Sequence, residues 1–408
     1  PYVYLLARTA FLQQSVSAFE AARTLGASPW RSFREVALPM ARPAVAGGVA
    51  LALMETLADF GTVAHFGINT FTTGIYRAWG SMGDRVAAAQ LSSVLFVFVL
   101  ALLIMEQYSR YRARFHQGGG QYQAIRAFHL QGGKGIAATV FCAIPLVIGF
   151  VAPFLILLWL AFTGGHDLFS TRYITLTLNS ITLASITAGL AVVLALLLSY
   201  AARIEKSRLT YAVSRIAGMG YAIPGSIIAV GILIPLAAFD NAVSAWMEAQ
   251  FGIRTGLLIT GSIAALVFAY LVRFLAAALH TVQSSFEKIT PQMEDTARVL
   301  GHGPLSTGLR IHVPILSGGM LTAALIVFVD VMKELPATLI MRPFDFDTLA
   351  IQAYHLAKDE RLAQAATPSL VIVACGLVPI FVMSRAIMRS RPGAKAKRRV
   401  ERRVPAAA

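Results

Sequence analysis

Charge is what this sequence has least of. Asp, Glu, Lys and Arg together make 13% of its 408 residues, against about a quarter in a soluble domain. A chain that poor in charge cannot cover a globule with polar surface, so lipid is the solvent for much of its length. Cysteine is nearly missing too. Cys142 and Cys375 lie far apart in apolar runs, with no CxxC or Cys/His spacing. They read as small core residues, and no metal site is expected. No GxxxxGK[ST] run occurs; Gly132-Gly133-Lys134 lacks the spacing and reads as a flexible linker, so no P-loop nucleotide site is expected on this chain. No HExxH or nucleophile elbow occurs either, and the reading is not an enzyme. The eight histidines are scattered, and His302 and His312 are expected on a loop surface.

Apolar residues are what the chain has in excess: 57% of the total, with mean hydropathy +0.66. A stub ending near Ala7 is followed by eight apolar stretches at about 44–65, 87–105, 136–162, 179–201, 213–238, 256–280, 317–340 and 367–388. Each is of a length that crosses a bilayer core. The net charge of +15 does not point to nucleic acid, because the basic residues flank these runs. The alternate loops 9–43, 106–136, 202–215, 281–316 and 385–408 hold 25 of the 35 Lys and Arg, and the opposite loops hold 7. The positive-inside rule puts the first set, and with it the C-terminus, in the cytoplasm. Lys395–Arg403 reads as a basic tail at the anionic membrane surface.

The chain also repeats itself. At an offset of 275, Ala22-Arg23 falls on Ala297-Arg298, Leu25-Gly26 on Leu300-Gly301, Pro29 on Pro304 and Pro39 on Pro314. Glu55 falls on Asp330, Asp59 on Glu334, and Ala78-Trp79 on Ala353-Tyr354. The copies run in the same direction, so the repeat is parallel. If the halves were equal, roughly 140 residues would be missing before Pro1. In each loop the pattern predicts a helix stopped at Gly26 or Gly301 and a second short helix starting at Pro29 or Pro304. Pro39 and Pro314 are expected to close each unit.

Those loops carry a resemblance. Glu20-Ala21-Ala22, Gly26 and Pro39 resemble the EAA loop of binding-protein-dependent ABC importers, and Asp295-Thr296-Ala297, Gly301 and Pro314 keep its spacing. The second copy departs at Asp295 and Thr296, where the family favours Glu and Ala, which makes two unequal docking sites. The resemblance implies an all-α polytopic membrane helix bundle of two tandem ABC type-1 transmembrane domains, the first truncated at its N-terminus. The expected division is 1–110 for the end of the first domain, 111–135 for a cytoplasmic linker, 136–390 for the second domain and 391–408 for the tail. The implied partners are two ABC ATPase subunits at the loops, a periplasmic solute-binding protein on loops such as 66–86 and 341–366, and the lipid bilayer. No cofactor is expected on this chain; ATP and Mg belong to the ATPase. The place is a bacterial inner membrane.

A closer resemblance is to ferric-iron permeases, through Lys333-Glu334-Leu335-Pro336-Ala337-Thr338-Leu339, Arg342–Ala350 and Glu55–Gly61. Fused permeases for thiamine, phosphonate and other small solutes share the arrangement. The rivals from other classes are a secondary transporter, which would use coupling-ion sites and commonly inverted repeats, and a membrane enzyme.

Charges inside apolar runs cost roughly 2.5–3.5 kcal/mol each at the bilayer centre. Glu55 and Asp59, and likewise Asp330 and Glu334, are four apart and expected on one helix face; Lys333 is placed to pair with Asp330. Three roles stay open for these acids: lining a translocation path, packing or gating, and coordinating iron directly.

Overall fold

The computed structural model describes residues 2–13, 21–112, 130–164, 170–205, 207–287 and 289–390. Glu20, most of the expected linker and the basic tail lie outside them. Among the described residues the regular structure is all helix. Seven helices are long and apolar enough to cross a membrane: Pro29–Ala58, Arg85–Tyr108, Gly133–Gly164, Thr171–Ile204, Gly225–Phe251, Ile263–Phe286 and Pro304–Met332. The last expected apolar stretch falls inside the helix Leu362–Ser390. Large apolar side chains such as Phe98, Phe141, Ile148, Trp159 and Leu197 point outward, which water would penalise and lipid does not.

The chain divides into two compact units, Pro1–Leu155 with Ala222–Ile227, and Ile156–Tyr221 with Ile228–Ala408. In the first unit the helix Tyr2–Gln13 packs along Leu38–Ala58, which in turn packs on Arg85–Arg112. Close approach depends on Gly48, where a Cβ would stand 2.6 Å from the Val3 backbone. Ala50, Met54 and Val99 form the buried centre, flanked by Leu57 and Leu103. In the second unit the helices Thr171–Ile204, Ile263–Phe286 and Val313–Met332 pack against one another as a trio, with Leu362–Ser390 against the last. Buried Ala184, Ala188, Ala191, Ala265, Ala269 and Ala323 line their contacts. Small residues let backbones approach where lipid removes the hydrophobic drive.

Several expected boundaries move. The first helix runs to Gln13, since nothing between Ala7 and Gln13 breaks it. Gly133 and Lys134 begin a helix rather than a linker. The stretch 213–238 is two elements: a surface helix Arg208–Ala217, then, after Gly218 and Pro224, Gly225–Phe251. Pro39 and Pro314 close nothing. Each sits just after a π-helical turn, Phe33–Ala37 or Gly308–His312, and the helix continues to Ala58 or Met332. The wider turn absorbs the proline, which has no N–H to give and would otherwise strike the preceding carbonyl.

Candidate functional site

Two places in each unit gather the residues singled out by the sequence: the loop that leads into a long apolar helix, and the break at that helix's far end.

The two loops are built alike. The helix before Gly301 is Pro291–Val299. Its end is sealed by His302 N donating to Ala297 O at 3.0 Å and Gly301 N donating to Arg298 O at 2.9 Å, with Gly301 at φ +81°. In the first copy Ala27 N donates to Ala22 O at 3.1 Å and Gly26 N to Arg23 O at 3.0 Å, with Gly26 at φ +83°. This paired closure needs a left-handed residue, hence glycine. The chain then restarts at Pro29, where Ser28 Oγ accepts from Arg31 N, or at Pro304 after Gly303. Ala21, Asp295 and Thr296 are exposed, Ala22 half-buried and Ala297 buried. Leu25 and Trp30 in one copy, and Val299, Leu300 and Leu305 in the other, stand out into solvent. Each loop thus carries exposed apolar side chains on a rigid turn.

The second loop is fastened at its root. Arg203, from the end of Thr171–Ile204, gives Nε to Glu294 Oε1 at 2.5 Å, Nη1 to Phe286 O at 3.2 Å and Nη2 to Ile289 O at 2.6 Å. Tyr200 Oη donates to Pro304 O at 2.5 Å. His312 is 2% exposed, edge-on to the rings of Tyr200 and Phe286, with Nε2 3.3 Å from Glu294 Oε1. The expectation of a surface histidine is therefore wrong: the π-turn rotates His312 into the junction of three helices. His302 is half-buried, its Nδ1 3.0 Å from Ser306 Oγ.

At the far end the expected pairing of acids on one helix face also fails, because the helix stops between them. Leu38–Ala58 ends and Asp59 turns extended, at φ −62° and ψ 134°. Its carboxylate then caps the short helix Gly61–His65, accepting from Val63 N at 3.3 Å and Thr62 Oγ1 at 3.2 Å. Thr72 Oγ1 donates to the Asp59 carbonyl at 2.6 Å. Val313–Met332 ends at Lys333, and Glu334 Oε1 accepts from Ala337 N at 3.3 Å at the start of Pro336–Met341. Gly61 and Pro336, two residues past each acid, favour the stop and restart. A freed helix end inside a bilayer must be satisfied internally, and each carboxylate does this.

Glu334 does more. Its Oε2 takes Arg273 Nη1 at 2.7 Å, with both side chains buried, and the guanidinium lies 5.3 Å over the Phe274 ring. Thr338 Oγ1 donates to the Glu334 carbonyl at 2.7 Å and shares a hydrogen bond with buried Tyr270. Lys333 Nζ lies 3.0 Å from Asp330 Oδ1, as its spacing predicted. In the first unit Tyr2 Oη donates to Glu55 Oε1 at 3.3 Å. Both oxygens of Glu334 are thus committed, and a cation could use them only by displacing Arg273 or Ala337 N. No group of three or more His, Cys, Asp or Glu side chains is placed to hold a metal among the described residues. Arg273 was missed in the sequence although a lone arginine inside the apolar stretch 256–280 was the available signal. Glu294 was missed because alignment with Glu20 drew attention to its neighbour Asp295.

The opposite loops are braced as well. Thr70 closes a capping box with Thr73. In the second unit Arg342 pairs with Asp347, Asn179 Nδ2 donates to Asp347 O at 3.1 Å, and Leu349 N donates to Ser180 Oγ at 2.9 Å. Phe344 stands fully exposed at that loop's tip.

Residues 1–115 match the family described as the binding-protein-dependent transport system inner membrane component. The chain is similar to the Fe(3+)-transport system permease protein FbpB 2 of Haemophilus influenzae, 26% identical over 391 residues, covering 94% of this chain and 74% of that protein. It is also similar to the ferric transport system permease protein FbpB of Actinobacillus pleuropneumoniae, 22% identical, covering 90% of this chain and 53% of that protein, so it spans about half the length of that relative. Among solved structures, a bacterial ABC transporter involved in the import of alginate aligns at TM-score 0.49 and 16% identity, over 63% of this chain and 96% of that one.

Proposed function

We propose that this relative of the binding-protein-dependent inner-membrane transport components is the permease of an ATP-driven importer whose cargo is ferric iron. The chain is an all-helical, multi-pass transport component of the inner membrane. It carries no catalysis of its own and binds no cofactor; two separate ATPase subunits use ATP and Mg. The observation that carries this reading is the duplicated loop. The same glycine closure, proline restart and π-turn stand at the root of a long apolar helix in two copies 275 residues apart. A connecting loop has no need of that, whereas a pair of identical partners does.

The knobs with Ala21, Ala22, Gly26 and Pro39, and with Asp295, Thr296, Ala297, Gly301 and Pro314, are the ATPase docking sites. Glu20, outside the described residues, is assigned to the first site from its place in the sequence motif alone. Arg203 and Glu294 tie the second knob to the spanning helices, so its displacement tilts them. Asp59 and Glu334 hold the far helix breaks, and with Glu55, Asp330 and Lys333 they gate the path. A periplasmic binding protein sits on the braced loops near Phe66 and Phe344, and the C-terminus is cytoplasmic. The domain division is 1–110, 111–135, 136–390 and 391–408. Iron as cargo draws support from the ferric permeases among the relatives. The test is iron-55 uptake by cells expressing the operon with and without this permease, with excess thiamine as competitor. Loss of uptake on deletion, indifferent to thiamine, supports the assignment; unchanged iron uptake moves the cargo to thiamine or a small anion.

A further inference from the structure

The import reading leaves one element unexplained, the short helix Arg208–Ala217. At 100° per residue Leu209, Val213 and Ile216 share one side, while Arg208, Tyr211 and Arg215 share another. Leu209 is 73% exposed and Ile216 70%, and Val213, Arg208, Tyr211 and Arg215 are exposed with them. An apolar side left outward is not a loose end here, because the helix is fastened at both ends. Ser207 Oγ accepts from Thr210 N at 3.1 Å and fixes its start. Beyond its end Gly220 presses on the helix Ile263–Phe286, where a Cβ would stand 1.8 Å from Val272 O.

We propose that Arg208–Ala217 is an interfacial helix seated on anionic phospholipid, with its apolar side in the acyl boundary and its arginines on lipid phosphate. The inference rests on the chain spanning a membrane. Three observations favour lipid over a protein partner. The helix begins four residues after the apolar span Thr171–Ile204 ends, and another apolar helix starts at Gly225. It therefore sits where a membrane surface must be. Residues 206–217 contain no acid, which fits an anionic surface. Arginine matches phosphate geometry, and long side chains flanking an apolar stripe reach to headgroup level. Since Arg203 lies just before this helix and clamps Glu294, lipid seating sets the rest position of the second knob.

The test uses the full chain in nanodiscs, with Cys142 and Cys375 replaced by Ser and a bimane label on Val213→Cys or, on the exposed arginine side, Tyr211→Cys. The proposal expects the label at 213 to be quenched by lipid brominated near the headgroup, and that at 211 by aqueous iodide. Quenching at 213 should deepen when phosphatidylglycerol is added to phosphatidylcholine, and Arg208→Gln with Arg215→Gln should remove that increment. Iodide quenching at 213 would mean the apolar side faces water, and quenching by neither agent would mean that protein covers it; either overturns the proposal. So does an increment that survives in the arginine variant. If that variant folds poorly, hydrogen exchange of 207–217 in the unaltered chain decides: slower exchange with phosphatidylglycerol supports lipid seating, and equal exchange overturns it. No cargo or ATPase enters the readout, so failure here leaves the import reading to its own test.

Discussion

At the scale of single residues, Glu334 is the most heavily committed side chain in its surroundings. One oxygen holds Arg273 and the other holds Ala337 N. Removing one partner of a buried ion pair leaves an uncompensated charge and costs about 3–5 kcal/mol. Arg273→Gln should therefore lower thermal stability in detergent more than Lys333→Gln does, because Lys333 is largely exposed beside Asp330. Equal shifts would contradict the burial argument. Glu334→Gln keeps the acceptor for Ala337 N but leaves buried Arg273 unpaired and so should also lose stability, whereas Asp59→Asn keeps the cap on Gly61–His65 without breaking an ion pair. Both should still reach the membrane, and both should abolish uptake if the charge itself gates the path; wild-type uptake in either would reduce that acid to a cap. His355 tests a different face. Burial holds its imidazole below the usual histidine range, with Arg342 pushing the same way and Asp347 opposing. The neutral form is therefore the folded one, and its contribution to stability is lost as pH falls below the ordinary value near 6.5. Amide protection factors in Leu349–Lys358, taken against the intrinsic exchange rate at each pH, should fall from pH 7.5 to pH 5, and His355→Gln should flatten the change.

At the scale of elements, the loops behave as levers only if they stay rigid. Gly26 and Gly301 hold left-handed backbone that a Cβ penalises by about 1–2 kcal/mol. No atom stands within 4 Å of a Cβ added at either place, so Gly301→Ala strains only the turn. It should leave the bundle folded and cut cargo uptake several-fold at unchanged expression. Arg203→Gln should do likewise, and Arg203→Lys should restore only part, because lysine cannot reach Glu294, Phe286 O and Ile289 O together. Uptake equal to wild type in Arg203→Gln would detach the knob from the spanning helices. These glycines and their prolines were readable in the sequence, since a left-handed stop and a fixed-φ restart each demand one residue type. What Pro39 and Pro314 do was not. A proline reads as a break, but a π-turn is a backbone solution that no residue type announces. The helix stops at Asp59 and Glu334 had a signal in Gly61 and Pro336, but they lie inside unbroken apolar runs, where hydropathy cannot tell a straight helix from two joined by a capped break. His312 was misplaced because one residue of π-helical winding turns a side chain by most of a quadrant.

At the scale of the whole molecule, the apolar runs and the basic loops made the all-helical membrane class legible, because bilayer thickness and surface charge act on composition directly. The long-range partners were not legible: Arg203 with Glu294 is 91 residues apart and Arg273 with Glu334 is 61 apart. Such contacts follow from which helices pack, and hydropathy alone carries no record of that. The central claim is that this chain imports at the expense of ATP hydrolysed by another subunit. The most direct measurement is iron-55 entry into proteoliposomes holding the chain with its ATPase and binding protein, with ATP inside or outside and with vanadate. The account predicts entry only when ATP is on the ATPase side, stimulated by binding protein and stopped by vanadate. Entry that persists without ATP, or under vanadate, would contradict it.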